Sequence, residues 1–237
     1  MPGRLSTICI ALFFLIPTKN FSQNFGCWNS LNISYDKGKK WSFSSEIQLR
    51  SLQFYKNYNY HEYKGIIGYK LIPNLQSSLV IGRYTTFSTG KTFQSPKLAE
   101  EFRVAVQLGL KNSIGKVQVD HRYRFEKRYY TNGNRGIRVR YRVGVSIPLD
   151  EKKLTSLSAS NEFLIAINSG SAIIRYDKNR INIGLTRKLT NTVSMQLGYL
   201  NQYDSKSADE PGNSFFVYSL FLNLSKVSIH KSQHSEN

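Results

Sequence analysis

The sequence predicts an all-β fold: a closed, antiparallel transmembrane β-barrel with short periplasmic turns and longer extracellular loops. Three observations carry that expectation. First, apolar and polar residues alternate through segment after segment, as in "GIRVRYRVGVSIP" (136–148), where Arg138, Arg140 and Arg142 interleave with Val139, Tyr141 and Val143. Alternation at period two marks a strand with two unlike faces. Second, most segments are about 10 to 13 residues long, against about five or six for a soluble strand. That length matches the roughly 9 to 11 residues needed to cross a bilayer at a tilt. Third, brief turns and longer loops alternate along the chain, which sends them to opposite ends of the strands.

In order, the first segment lies near Trp28–Tyr35 and ends at the turn "DKGKK" (36–40). Trp41–Leu52 sets Phe43, Ile47 and Leu49 against Ser44, Glu46, Gln48 and Arg50, then gives way to "QFYKNYNYH" (53–61). Glu62–Leu71 and Leu75–Phe87 flank the short "IPN" (72–74), and "STGKTFQSPK" (88–97) follows as a longer loop. In Leu98–Leu110, Phe102, Val104, Val106 and Leu108 alternate with Glu101, Arg103, Ala105 and Gln107. After "NSIGK" (112–116), Val117–Tyr129 sets Val119, Tyr123 and Phe125 against Asp120, Arg122, Arg124, Glu126 and Arg128. "YTNGNR" (130–135) leads to Ile137–Pro148, and "LDEKK" (149–153) to Leu157–Asn168. "SGSAIIRYDK" (169–178), Arg180–Leu189, "TN" (190–191), Val193–Tyr203, "DSKSADEPGN" (204–213) and Phe215–Leu224 complete the chain. That makes eleven segments where bacterial single-chain barrels have an even number. The expectation is therefore about twelve strands, with ten the alternative and "QNFGCW" the place for a short extra strand. Both ends of such a barrel should face the periplasm.

The N-terminus, "MPGRLSTICIALFFLIPTKNFSQ", has a basic start at Arg4 and a short apolar core from Leu5 to Ile16. This is the pattern of a secretory leader, read as residues 1–22, with a single barrel domain at 23–237. Cleavage would leave Cys27 as the sole cysteine, so neither an internal disulfide nor a cysteine zinc site is expected. No segment after residue 17 approaches the roughly 20 apolar residues of a membrane helix.

The net charge of +18, from 33 Lys and Arg against 15 Asp and Glu, suits an anionic partner. In an exported chain that partner is a phosphorylated lipid surface rather than nucleic acid. The expected location is the bacterial outer membrane. The expected partners are its lipids, lipopolysaccharide phosphates among them, and the machinery that assembles barrels. Lys56, Lys91, Lys97, Arg128, Arg135, Arg175, Lys178 and Arg180 are read as basic residues on the long-loop side. Trp28, Trp41, Tyr63, Tyr69, Tyr84, Phe87, Tyr129, Tyr130, Tyr199 and Tyr203 lie near segment ends, where interfacial aromatic girdles sit.

In lipid every backbone amide must be bonded internally, so strands survive only in a sheet without free edges. The apolar faces then meet hydrocarbon and the polar faces line a lumen. Glu46, Arg50, Glu101, Arg103, Asp120, Arg122, Arg124, Glu126, Arg138, Arg140, Arg142 and Glu162 share the lumenal parity and should form an ion-pair network there. Such a network suits a non-enzymatic structural or surface protein, or a narrow channel; an anion-selective pore is one alternative. The other is a lipid-modifying enzyme, for which His121, with lipid-facing parity, is the outlier, paired with Ser158 or Ser160. A local bulge turning His121 inward is the simpler reading. No nucleotide, hydrolase or zinc-protease motif occurs, and neither a cofactor nor a metal is expected.

The stretches "CWNSLNISYDKGKKWSFSSEIQLR", "EEFRVAVQL", "HRYRFEKRY", "RVRYRVGVSIPL", "NEFLIAIN" and "QLGYLNQY" resemble the domain of unknown function 2490 family, barrels of Bacteroidota-type bacteria. In this comparison Trp28 opens a strand, Glu46 and Arg50 close a hairpin, and Asn168 and Arg180 keep expected places. The resemblance covers nearly the whole mature chain. It implies an outer-membrane barrel and no established activity.

Overall fold

The computed structural model describes residues 25–88, 92–93, 96–168, 174–205 and 213–226; the leader read at 1–22 lies outside them. Among the described residues the chain forms β1 (Phe25–Lys37), β2 (Trp41–Gln53), β3 (Lys56–Ile72), β4 (Leu75–Phe87), β5 (Lys97–Ile114) and β6 (Val117–Tyr130). These are followed by β7 (Arg135–Pro148), β8 (Thr155–Asn168), β9 (Ile174–Lys188), β10 (Val193–Asp204), β11 (Asn213–Asn223) and a single 3-10 turn at Leu224–Lys226. Each strand pairs antiparallel with the next, and β1 closes the barrel against β11 in parallel.

The parallel seam follows from parity. An odd number of strands that reverse direction one by one leaves the first and last pointing the same way. Among the described residues the barrel has eleven strands, near the expected count of about twelve, and the described part of "QNFGCW" forms no strand of its own. Phe25, Gly26 and Cys27 are instead the first rungs of β1, opposite Ser214, Phe215 and Phe216. The sheet therefore begins on one rim and ends on the other, rather than sending both ends to the same rim.

One rim carries the connections 38–40, 73–74, 115–116, 149–154 and 189–192. Gly38 and Gly115 turn there at φ +65° and +61°, a region in which a side chain would be strained. Asp150 orders the 149–154 connection by accepting from the backbone N–H of Leu154 at 2.8 Å and of Thr155 at 2.6 Å. Those bonds, that of Leu154 foremost, hold its carboxyl below the usual range. On the opposite rim, the loop read at 53–61 shrinks to Phe54 and Tyr55, because β2 runs on through Gln53 and β3 starts at Lys56. The longer connections there are 88–96 and 205–212.

Burial is inverted relative to a water-soluble domain. Outward Val106 and Phe125 are 54% and 51% exposed, while inward Arg124 and Glu126 are 4% and 1% exposed. Leu79, Ile81, Leu108, Ile181, Ile183 and Leu197 continue the exposed apolar surface on other strands. A wall of this kind is stable only where hydrocarbon replaces water outside. Among the described residues no helix is long and apolar enough to cross a membrane.

Candidate functional site

The inward faces enclose a polar cavity of about 350 Å³, lined by eleven Lys and Arg side chains against four Glu. Toward the short-turn rim the inward positions are small or neutral, such as Ser42, Ser44, Gly68, Ser78, Gly109, Gly144, Ser158 and Gly184. Several of these glycines make room for a neighbouring polar side chain to lie flat on the wall. A Cβ on Gly144 would come 2.5 Å from Asp120 Oδ1, and one on Gly184 would come 2.6 Å from Gln196 Nε2.

Three groups of charged residues fill the rest. On β2 and β3, Glu62 takes Lys64 Nζ at 2.7 Å and Arg50 at 3.5 Å, and accepts a short hydrogen bond from Tyr60. Lys64 also reaches Glu46 at 2.9 Å. Gln48 donates to Glu62 Oε1 at 2.7 Å and accepts from Arg50 Nε at 2.8 Å and from Trp28 Nε1. On β5 and β6, Glu101 takes Arg103 Nε at 2.9 Å and Arg128 Nε at 2.7 Å, while Arg103 stacks 3.7 Å from the Tyr84 ring centre.

The third group spans β6 to β10. Glu162 is its hub, accepting from Arg122 at 2.5 Å, from Arg140 at 2.8 Å and from Arg180 at 3.4 Å. Arg140 also donates to Glu126 at 2.9 Å. Arg124 lies 3.5 Å from Glu126 and chelates Gln107 through Nε and a terminal nitrogen. Arg142 donates to Asp120 at 2.6 Å, Arg138 pairs with Asp177 at 2.7 Å, and Lys178 pairs with Asp204. Guanidinium forks suit this packing because each offers five fixed donors to several oxygens at once.

Among the described residues these ion pairs join strands no more than two apart, so they run along the wall. Side chains from more distant strands meet at Trp28. The Arg50 guanidinium of β2 lies 3.4 Å from its ring centre, and that of Arg180, from β9, lies 5.1 Å away. Two like charges thus converge on one aromatic ring beside the cavity.

All twelve charged residues read from the sequence are accounted for in these groups. Glu46, Arg50, Glu101, Arg103, Arg122, Arg124, Arg138, Arg140, Arg142 and Glu162 line the cavity itself, with Asp120 and Glu126 behind them. Trp28, Tyr60, Glu62, Lys64, Asp177 and Gln202 were not among them. Arg128, Lys178 and Arg180 leave the basic long-loop surface, where the sequence reading put them, for the lumen. Lys178 keeps the inward parity of Arg180, opposite Leu164, and a bulge against Leu164 and Ile165 turns its neighbour Asp177 inward as well. Lys91 lies outside the described residues. Trp28 and Tyr84 likewise leave the proposed girdles and face inward.

The sequence profile of the family described as "Protein of unknown function (DUF2490)" matches residues 25–213. The chain belongs to that family. A search of curated proteins returned no match. Among solved structures, the DUF2490 barrel is similar to a loop-deletion variant of OmpT, an outer membrane protein of Vibrio cholerae. Identity there is 10%, over 73% of this chain and 59% of that one, with a TM-score of 0.42. An anion-selective porin from Comamonas acidovorans gives 12% identity, 75% and 51% coverage, and a TM-score of 0.36. The NanC porin gives 13% identity, 74% and 84% coverage, and a TM-score of 0.45. The chain thus spans 59% of the length of the OmpT variant.

His121 of the DUF2490 barrel stays on the outer face. The pairings of β6 with β5 and β7 run without a bulge, which corrects the inward-turn reading. The imidazole stacks on Tyr141, rings 6.1 Å apart, and its Nδ1 lies 3.0 Å from the Tyr141 hydroxyl. That partner makes a polar ring tolerable on an apolar wall. Ser158 and Ser160 point into the lumen, where Ser158 donates to the Gly184 carbonyl and Ser160 lines the cavity. The wall therefore separates both serines from His121. Among the described residues no group of three or more His, Cys, Asp or Glu could hold a metal ion.

Proposed function

We propose that this DUF2490 barrel sits in the bacterial outer membrane and passes small anions through a narrow lumen. The inverted wall supports the membrane, because its exposed Val, Ile, Leu and Phe belt needs hydrocarbon as solvent. The observation that carries the conduction reading is the cavity, with eleven cationic side chains against four carboxylates. A low-dielectric wall focuses that excess onto the cavity and concentrates anions there. Arginine donors can replace part of an anion's hydration. The carboxylates of Glu62, Glu101 and Glu162 compete for the same donors, so an entering anion is held weakly enough to leave. Trp28, with Arg50 and Arg180 on it, lines that path.

Single-channel recording of the purified protein in planar bilayers tests this reading. A salt gradient should give small conductance steps whose reversal potential favours the anion. R50Q and R180Q should each move that potential toward zero. A barrel that inserts but carries no current is plugged by its ion pairs and ends the conduction reading, and a cation preference would end it equally.

A further inference from the structure

Charges on the lipid-facing side of a barrel are costly at the bilayer midplane and cheap only near its rims. Arg83 on β4 and Lys127 on β6 are exposed and belong to the outward faces of those strands. Arg83 pairs with Tyr63 on one side and Phe102 on the other, and Phe102 pairs with Tyr129. Lys127 stands one outward position below Tyr129 and leans toward it, with Nζ 5.6 Å from the ring centre. One strand, β5, separates the two cations, so they are about 10 Å apart across the sheet.

Their height is set by the strands. Arg83 is the ninth residue of β4 and Lys127 the eleventh of β6, counted from the short-turn rim. At a rise of about 3.3 Å per residue and a tilt of about 40°, both stand about 20 to 25 Å above that rim, the top of an apolar band about 25 Å tall. Below them lie exposed Leu79, Ile81, Val106 and Phe125, which are surfaces for acyl chains. The arrangement is local to this arc. On β8, β10 and β11 the outward residues near that level include Ile165, Tyr203 and Phe216.

We infer that the β4–β6 arc is a clasp for the phosphorylated headgroup of an outer-leaflet glycolipid. The inference rests on the outer-membrane placement proposed above. The Arg83 fork takes one phosphate in the bidentate manner that guanidinium favours, and Lys127 takes a second. Phe102 and Tyr129 pack between them at the level where headgroup and chains meet. Two phosphates about 10 Å apart on one multiply acylated sugar fit this spacing, whereas a single-phosphate lipid can engage only one cation.

The test measures retention of diphosphoryl lipid A, its monophosphoryl analogue and phosphatidylglycerol on the purified barrel by native mass spectrometry. Insertion into lipid vesicles is scored separately by protease protection. The expected order is diphosphoryl above monophosphoryl above phosphatidylglycerol. R83A/K127A should weaken the first by about 30-fold, at about 1 kcal/mol for each cation near the surface. K39A/K152A, which removes the same charge from the other rim, should leave it unchanged. Equal binding of all three lipids overturns the clasp, as does an equal loss in K39A/K152A. If the protein inserts but R83A/K127A binds as before, the clasp alone fails; if it does not insert, the membrane placement fails with it.

Discussion

Replacing Glu162 with Gln removes one negative charge while keeping the side chain's shape. Three guanidiniums converge on that carboxylate, with Arg140 bidentate through Nε at 3.2 Å and Nη2 at 2.8 Å, Arg122 at 2.5 Å and Arg180 at 3.4 Å. Arg140 retains Glu126 at 2.9 Å, so the loss falls hardest on Arg122 and Arg180. Stranding one partner of a buried ion pair costs about 3 to 5 kcal/mol. The adjoining cavity supplies some solvation, which sets the expected cost of E162Q at the lower end, about 3 kcal/mol. Reversible urea unfolding in lipid vesicles, followed by tryptophan fluorescence, measures it. The double variant R122Q/E162Q should recover about 1 to 2 kcal/mol, because the ion pair of Arg122 among the described residues is with Glu162. A cost for E162Q below about 1 kcal/mol, or strictly additive losses in the double variant, would refute the hub.

The parallel seam can be trapped. Ser30 Oγ and Ser219 Oγ are 2.8 Å apart across β1 and β11, so S30C/S219C in a C27A background should form a disulfide that speeds migration of the unreduced, unheated barrel on gels. Absence of the crosslink under oxidation would exclude this closure. A Cβ on Gly26 would lie 2.1 Å from the Ser51 carbonyl, while one on Gly65 meets nothing within 4 Å. G26A should therefore destabilise the barrel by about 2 kcal/mol or more and G65A by less than about 1, read as urea midpoints. H121A loses the bond to Tyr141 and should cost about 1 kcal/mol with no change in single-channel conductance; altered conductance would place His121 in the permeation path. Asp150 has a folded-state pKa below its unfolded value. Its contribution is therefore present above the unfolded value, about pH 4, and lost as pH falls through the folded one. The stability difference between wild type and D150N should shrink as pH falls below the unfolded value of about 4, and a constant difference would remove Asp150 from the acid response.

The strands were legible because a barrel wall repeats every two residues, and Val139, Tyr141 and Val143 must all meet the same solvent. The eleven segments of the sequence correspond to the eleven strands. The expectation of about twelve rests on the even-number rule for bacterial barrels, and the eleven strands among the described residues lie one short of it. Parity alone does not locate bulges or register. The bulge in β9 hid Asp177. The "NYNYH" stretch, set aside as loop, holds Tyr60 at the start of a long β3. Its alternation of Tyr58, Tyr60, Glu62 and Lys64 was the available signal. Nothing in one strand says which acid faces which arginine, since that depends on how far each strand slides against its neighbour. The three partners of Glu162 became visible only once β6, β7, β8 and β9 were in register.

The cavity and the seam have a common origin. Acids and arginines come mainly from β2, β3 and β5 through β9. The inward residues of β1, β10 and β11, around the seam, are mostly neutral: Trp28, Ser30 and Asn32, then Gln196, Leu200 and Gln202, then Phe215, Val217 and Ser219. An arginine on the charged arc faces few carboxylates there, and Asp204 of β10 is taken by Lys178. Such an arginine turns instead to acids of its own wall, and the pairs run around the lumen rather than across it. Space is left between the two arcs, bordered by guanidiniums on one side and by Trp28, Ser30 and Ser219 on the other. An even barrel with acids spread evenly around its wall could bind opposite sides together and close. This one concentrates its charge on one arc and keeps a cavity between the two arcs.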